Sequence, residues 1–173
     1  MKILLSFILI VLLNSCSEMK PEDYKNTKPV IKIEEYFQGK VKAWGMLLSR
    51  SGQVKRQFTA NMEGDFDGQN LILDETFIWN DGEKQERRWT IKKVGENKYE
   101  GTAPDVVGIA KGVSYGSAFK FEYKLLIPYK NKKIKVRFDD WIFKQDDKTA
   151  INKAILTKFG FKVGELTVFF TKD

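Results

Sequence analysis

The strongest constraint on the fold of this chain is a two-residue alternation of apolar and polar side chains that recurs from Val30 onward. In its clearest stretch, 119–127, every second residue is aromatic or aliphatic and most of the others are charged. Successive side chains of a strand point to opposite faces, so such a segment buries one face and exposes the other. Turn signals such as Asp67-Gly68 and Asp81-Gly82 separate the runs and favour tight hairpins. The pattern predicts about nine or ten antiparallel strands.

A meander of this length must curl or close, because an open sheet leaves unpaired N–H and C=O groups along both edges. We therefore predict an all-β fold, an antiparallel up-and-down barrel that resembles the lipocalin and calycin group, over residues 30–173. A sandwich of two sheets is the alternative. Residues 146–158 are ambiguous, because their pattern fits either a helix or a strand.

The N-terminus has the pattern of a secretory leader. Lys2 supplies a positive charge, residues 3–13 are apolar apart from one serine, and the single cysteine, Cys16, follows closely. The apolar run is too short to span a bilayer as a helix, which is typical of a cleaved signal peptide. Leu13-Asn14-Ser15-Cys16 resembles the lipobox of bacterial lipoproteins, although Asn14 replaces the small or apolar residue preferred there. An ordinary secretory leader followed by a stray cysteine is the alternative.

These features divide the chain into three predicted segments. Residues 1–15 form a lipoprotein signal peptide, residues 16–29 an acylated N-terminus and flexible tether, and residues 30–173 the barrel domain. The first predicted partner is therefore a membrane, held through acyl chains on Cys16. Ser17, in place of Asp, resembles a sorting signal for the outer membrane. The predicted location is the cell envelope, at the periplasmic face of the outer membrane.

Composition narrows the chemistry. The chain contains no histidine and one cysteine, which excludes Ser-His-Asp and Cys-His mechanisms and His-ligated zinc. The 30 Lys and Arg residues exceed the 23 Asp and Glu residues but are spread over many segments, as on a solvated surface. We predict no catalytic residue, no metal, no cofactor and no nucleic-acid partner; the chain is not expected to be an enzyme.

Two carboxylates interrupt apolar faces. Glu75 and Asp140 fall in the inward register of their strands, where a carboxylate needs a partner. Arg88 and Arg137, together with Arg87, are the nearby candidates, because Arg suits forked pairing with a carboxylate. This polar cluster could orient the head group of a ligand or perform acid–base chemistry. The favoured alternative is a structural salt bridge, or a β-bulge that turns Asp140 outward.

Aromatic residues are dense, and four of them are candidates for the lining of the barrel: Trp79, Trp89, Phe121 and Phe138. An aromatic-lined barrel can hold a lipid or another hydrophobic small molecule. Alternatively, the rings simply fill a small barrel. The choice between these two interpretations depends on whether a cavity exists.

Several motifs, in order along the chain, resemble the DUF3833 family of uncharacterised proteobacterial lipoproteins. The stretches that carry the resemblance are 36–45, 77–83, 88–91, 99–103, 105–108, 137–141 and 158–165. The resemblance implies a lipoprotein leader and an exported β domain, but no activity, ligand or catalytic residue. We predict a lipid-anchored lipoprotein whose non-catalytic barrel binds a hydrophobic ligand or an envelope partner. The alternatives are a filled structural barrel and a carboxylate-based enzyme.

Overall fold

A computed structural model describes residues 19–172. It is a closed barrel in which each strand pairs antiparallel with its sequence neighbours and β1 pairs with β10. The predicted all-β, up-and-down barrel is therefore confirmed. The ten strands are β1 (Gly39–Ser49), β2 (Val54–Phe66), β3 (Asn70–Trp79), β4 (Lys84–Lys93), β5 (Lys98–Thr102), β6 (Ala110–Tyr115), β7 (Ala118–Tyr129), β8 (Lys132–Lys144), β9 (Thr149–Lys158) and β10 (Phe161–Lys172).

The predicted alternation matches the burial of the strands. In β7, Phe119, Phe121 and Leu125 are buried. The ambiguous segment 146–158 contains strand β9, and no helix forms there. β9 has the same alternating pattern of buried and exposed residues, so the barrel interior is built from one face of every long strand.

The last strand closes the barrel on the first. The β1–β10 ladder runs from Val41 opposite Lys172 to Ser49 opposite Gly164. This pairing satisfies the backbone groups that would otherwise lie unpaired at two sheet edges. Closure also fixes the position of the hairpins, because the turns of an up-and-down barrel alternate between its two ends.

A short segment before β1 plugs one end of the barrel. Helix α1 (Ile33–Tyr36) lies there. The backbone N–H of Ile31 donates to Gly116 O at 2.8 Å, and the Tyr36 hydroxyl donates to Lys148 O at 2.9 Å. These partners belong to the β6–β7 and β8–β9 turns, so α1 marks the plugged end. The turns β1–β2, β3–β4, β5–β6, β7–β8 and β9–β10 consequently surround the opposite end.

The chain reaches this plug along the outside of the barrel. A 3-10 turn (Pro21–Tyr24) places the Tyr24 ring 5.9 Å from Trp141 and 5.3 Å from Phe143, centroid to centroid. Thr27 accepts a hydrogen bond from the backbone N–H of Ser117 at 2.9 Å. Part of the predicted tether 16–29 therefore contacts the barrel.

The predicted signal peptide 1–15, Cys16 and residues 17–18 lie outside the described residues. Across the part of the chain that the structure describes, no helix is long and apolar enough to cross a membrane.

Candidate functional site

The barrel interior contains two cavities that share part of their walls. The inner cavity, about 110 Å³, lies against the plug and is lined by Ile33 and Phe37 among others. The outer cavity, about 510 Å³, extends toward the opposite end, where exposed Pro128 and Lys133 belong to its lining. The shared wall consists of Phe58, Phe77, Arg87, Tyr123 and Leu166. A ligand entering from the open end would therefore pass charged side chains at the mouth, among them Glu83 and Lys133, then apolar walls, and then Arg87 and Tyr123 at the base.

The structure places all four predicted aromatic residues along these cavities. Trp89 and Phe121 line the inner cavity with ring centroids 5.2 Å apart. Trp79 and Phe138 line the outer cavity. Tyr123 stacks on Phe138 at 5.1 Å, so aromatic packing continues from one cavity to the other.

An ion-pair cluster separates the two cavities. Arg87, on β4, directs its side chain inward and is paired along the ladder with Glu75 on β3. Nη1 of Arg87 lies 3.6 Å from Oε2 of Glu75. Its Nε atom donates to Oδ1 of Asp105 at 3.2 Å and its Nη2 atom donates to Oδ2 at 2.8 Å, a forked geometry. Oε2 of Glu75 is buried and, among the described residues, has no hydrogen-bond partner.

A second polar group lies in the same inner cavity. The Tyr123 hydroxyl donates to Oδ2 of Asp140 at 2.9 Å, and the Asn152 amide donates to Oδ1. The same Asn152 amide donates to Trp141 O at 3.1 Å. Asn152 is buried on β9, directly beside β8, and so holds Asp140 in its inward register.

Burial dominates the electrostatics of this interior. It raises the pKa of Glu75 to about 7, although Arg87 acts in the opposite direction. It likewise raises the pKa of Asp140 to about 6, against the hydrogen bonds from Tyr123 and Asn152. Burial disfavours the charge of Arg87 too, but Glu75 and Asp105 offset this effect and raise the guanidinium pKa. Arg87 is thus charged, whereas Glu75 titrates near neutrality.

The structure corrects two members of the predicted cluster. Arg88 lies on the outer face of β4 and donates to Asp74 at 2.6 Å. Arg137 lies on the outer face of β8 and pairs with Glu122. Neither side chain lines a cavity with Glu75 or Asp140. The physical reason is the two-residue period, which turns Arg87 inward and its neighbour outward.

Sequence reasoning missed three members of the interior. Tyr123 had a usable signal, because it falls in the inward register of β7. Asn152 had the same kind of signal on β9, but the ambiguity of segment 146–158 concealed it. Asp105 lies in the β5–β6 connection, where no periodicity shows which way a side chain points. Its pairing with Arg87 becomes visible only in three dimensions.

Asp105 and Asp140 accept hydrogen bonds from protein donors, whereas Oε2 of Glu75 has no such partner among the described residues. Within residues 19–172, no group of three or more His, Cys, Asp and Glu residues could hold a metal ion. What the arrangement offers is a chamber with mainly apolar walls, charged side chains at its mouth, and a charged guanidinium and a phenol at its base. Such a chamber suits an amphiphile whose apolar body fills the outer cavity and whose polar end reaches Arg87 and Tyr123.

Two solved structures share this architecture. An S-type phycobiliprotein lyase from Guillardia theta superimposes with a TM-score of 0.60 at 10% identity, covering 90% of this chain and 98% of that chain. A protein of unknown function from the DUF3598 family, from Nostoc punctiforme, gives a TM-score of 0.62 at 11% identity, covering 84% of this chain and 51% of that chain. At these identities the likeness establishes the barrel fold alone.

Sequence comparison supplies the family. No curated protein sequence matches the chain. The family described as "Protein of unknown function (DUF3833)" matches residues 10–172, which include every strand of the barrel. The resemblance noted in the sequence motifs is thereby confirmed, and the chain belongs to the DUF3833 family.

Proposed function

We propose that this protein is a lipid-anchored lipoprotein of the cell envelope whose barrel binds a hydrophobic small molecule or lipid without catalysing a reaction. The observation that carries the proposal is the outer cavity of about 510 Å³. Its volume falls within the range of about 300–1,000 Å³ that is typical of small-molecule sites. A barrel filled by its own side chains would leave no such space.

The lining of the outer cavity favours an elongated apolar ligand with one polar end. Leu47, Leu125 and Leu156 contribute aliphatic walls, and Trp79 contributes a ring. Arg87 lies at the base, where it is buried and already paired with Asp105. A polar ligand atom there would gain a hydrogen bond in a low-dielectric environment, whereas the apolar body would be removed from water.

Filling the cavity tests this binding function. Leu156→Trp places a larger side chain in the outer cavity, and Ile155→Trp, on the outward face of the same strand, is the matched control. Native mass spectrometry of the purified protein should show a bound hydrophobic molecule in the wild type and in Ile155→Trp, and much less in Leu156→Trp. Equal occupancy in both folded variants would show that the ligand does not occupy this cavity.

The proposed anchor rests on the lipobox-like sequence before Cys16. Acyl chains on that cysteine would hold the barrel at the periplasmic face of the outer membrane. Cys16→Ser should therefore abolish labelling by palmitate and release the protein from the membrane fraction. Ser17→Ala is the control, because it leaves the thiol in place. Unchanged fractionation of Cys16→Ser would refute lipidation.

A carboxylate-based enzyme is the second candidate function. The observation that favours it is the convergence of Glu75 and Asp140 on one cavity, each with a raised pKa. The cavity they share is only about 110 Å³, however, and neither residue lines the larger outer cavity among the described residues. We therefore favour binding. Conversion of a bound ligand by the wild type, lost in Glu75→Gln with occupancy retained, would establish the enzymatic alternative.

A further inference from the structure

Three hairpins at the open end form a continuous basic surface. The turns β7–β8, β9–β10 and β1–β2 are neighbours because the barrel order runs from β7 through β10 to β1 and β2. We call residues 49–55, 128–135 and 157–163 the basic arc. They contain eight cationic side chains and no Asp or Glu, and one of the eight, Lys162, pairs with Glu165 just beyond the arc. The cations are Arg50, Lys55, Lys130, Lys132, Lys133, Lys135, Lys158 and Lys162.

The other side of the same end has the opposite charge. Residues 80–86, around the β3–β4 turn, contain three acidic residues and one lysine. Asp81 and Glu83 share the cation of Arg56, and Glu86 pairs with Lys84, so the acidic residues still outnumber the cations there. The open end therefore has a basic side and a less basic side. An anionic surface would attract the basic arc and so orient this end of the barrel.

Exposed aromatic side chains project from the tips of the basic arc. Phe159 is 88% exposed, Phe161 is 73% exposed and Tyr129 is 53% exposed. Large apolar side chains are seldom left this exposed in a cluster unless they meet another surface.

Folding does not require phenylalanine at the most exposed of these positions. Lys158 pairs with Phe161, so Phe159 and Gly160 form a two-residue turn, with φ of 51° and 81°. Asn and Gly are the residues that adopt this turn most readily, because both central positions need positive φ. A bulky ring at Phe159 is therefore unfavourable for the turn and for solubility alike. A role in contact with a partner accounts for it.

Cations accompany these rings closely. Nζ of Lys158 lies 5.2 Å from the centroid of Phe159, and Nζ of Lys130 lies 5.7 Å from that of Tyr129. Aromatic residues flanked by lysine are typical of segments at the interface of a membrane, where the ring enters the headgroup region and the ammonium group meets anionic lipid.

We propose that the basic arc docks on the surface of an anionic lipid bilayer, with Phe159 and Phe161 inserted among the headgroups. A polyanion in solution would neutralise the lysines but leave the rings in water. A bilayer satisfies both features, because its surface is charged and its interior is apolar. The outer cavity opens at the same end of the barrel. Docking would therefore bring its mouth to the membrane, from which a hydrophobic ligand could enter.

Docking through the basic arc is distinct from anchoring through Cys16. Met19 contacts the Tyr24 hydroxyl, and Tyr24 packs near the plugged end. The arc lies at the other end, so it must be tested without acyl chains. A chain that begins at Ser17 serves, because it keeps the whole of the barrel, the plug and the 3-10 turn as the structure describes them.

Vesicle sedimentation of this unacylated chain tests the proposal. We expect binding to phosphatidylcholine vesicles that contain about 30 mol% phosphatidylglycerol, little binding to pure phosphatidylcholine, and weakening by salt. Phe159→Asn/Phe161→Thr keeps residues that suit the turn and the strand, and should reduce the affinity at least tenfold, roughly the loss of two inserted rings. Lys130→Glu/Lys132→Glu should reduce it by at least about tenfold, because two attractive charges become repulsive.

Matched controls separate the arc from general charge and general hydrophobicity. Trp44→Ser removes an exposed ring from the middle of the outer wall, and Lys40→Glu/Lys98→Glu reverses two exposed charges at the plugged end. Both should bind vesicles like the wild type. Undiminished binding of Phe159→Asn/Phe161→Thr, or an equal loss in Lys40→Glu/Lys98→Glu, would overturn the proposal, provided circular dichroism shows folded barrels. These outcomes leave ligand binding in the cavity unaffected, since native mass spectrometry measures that separately.

Discussion

Nη1 of Arg87 lies 3.6 Å from Oε2 of Glu75, too far for a hydrogen bond, whereas the rest of the guanidinium forms a fork with Asp105. One cation thus faces two carboxyl groups inside a barrel whose interior is lined mainly by apolar side chains. Because Oε2 of Glu75 has no hydrogen-bond partner among the described residues, this carboxyl is the less stabilised of the two. The balance of charge inside the barrel consequently depends on Arg87.

Arg87→Leu should destabilise the barrel strongly. It leaves Asp105 and Glu75 without their cation, and breaking a buried pair by removing one partner costs about 3–5 kcal/mol. Urea unfolding at pH 7.5 measures the change. Arg88→Leu is the control, since Arg88 pairs with Asp74 on the outer face and is well exposed. It should leave the free energy of unfolding almost unchanged, and equal losses in the two variants would contradict the inward position of Arg87.

Glu75 should make the barrel less stable as the pH rises toward 8. Its pKa in the folded protein is about 7, above the ordinary value of 4.5, so the folded state holds the proton more tightly. The stability that this proton supplies is complete below the unfolded pKa and is lost as the pH passes through the folded pKa. The shift corresponds to about 3 kcal/mol between pH 4 and pH 8.

Glu75→Gln removes this titration, and urea unfolding at several pH values should show a flatter profile. The charged groups around Glu75 are Arg87, Asp105 and Asp140. Because burial also raises the pKa of Asp140, to about 6, the free energy of unfolding of Glu75→Gln should still depend on pH around that value. Glu63→Gln, on the outward face of β2, is the control and should keep the wild-type profile. A Glu75→Gln profile identical to the wild type would show that folding does not raise the pKa of Glu75.

Asn152→Ala should raise the pKa of Asp140 further, because it removes a donor to the ionised carboxylate. It also leaves Trp141 O without the amide, and unsatisfied buried polar groups cost about 1–3 kcal/mol. An NMR titration of the Asp140 carboxyl carbon and a denaturant curve measure the two effects. Lys153→Ala, the outward neighbour on β9, should change neither. An unaltered Asp140 titration in Asn152→Ala would contradict the role of this amide.

The sequence was sufficient to predict the strands of the barrel, because burial of one face imposes a period of two on each of them. The same rule correctly placed Glu75 and Asp140 inside. Applied strictly, it would also have excluded Arg88, since Arg87 and Arg88 cannot both face inward on one strand. Whether a residue occupies an odd or an even position in its strand therefore predicts its ion-pair partner better than its distance along the chain does.

Other parts of the interior had no local signal. Asp105 reaches Arg87 from the β5–β6 connection, and the direction of a side chain in a connection depends on tertiary contacts. The plug is a similar case, because Ile33 and Phe37 are apolar residues without strand periodicity that become buried only when the barrel closes beneath them. Cavity volume is likewise a difference between packed surfaces, which composition does not determine.

Gly64→Ala should loosen the plug. A Cβ atom on Gly64 would lie 1.9 Å from the backbone oxygen of Phe37, so the segment that closes the barrel would have to move. Overpacking of this kind typically costs about 1–3 kcal/mol. Gly95→Ala is the control, because its Cβ would meet only the Lys98 side chain, at 3.6 Å or more. Hydrogen exchange should show faster exchange of the Phe37 amide, which donates to Ile33 O, in Gly64→Ala only. Wild-type protection of that amide in a folded Gly64→Ala barrel would contradict the close packing of the plug against β2.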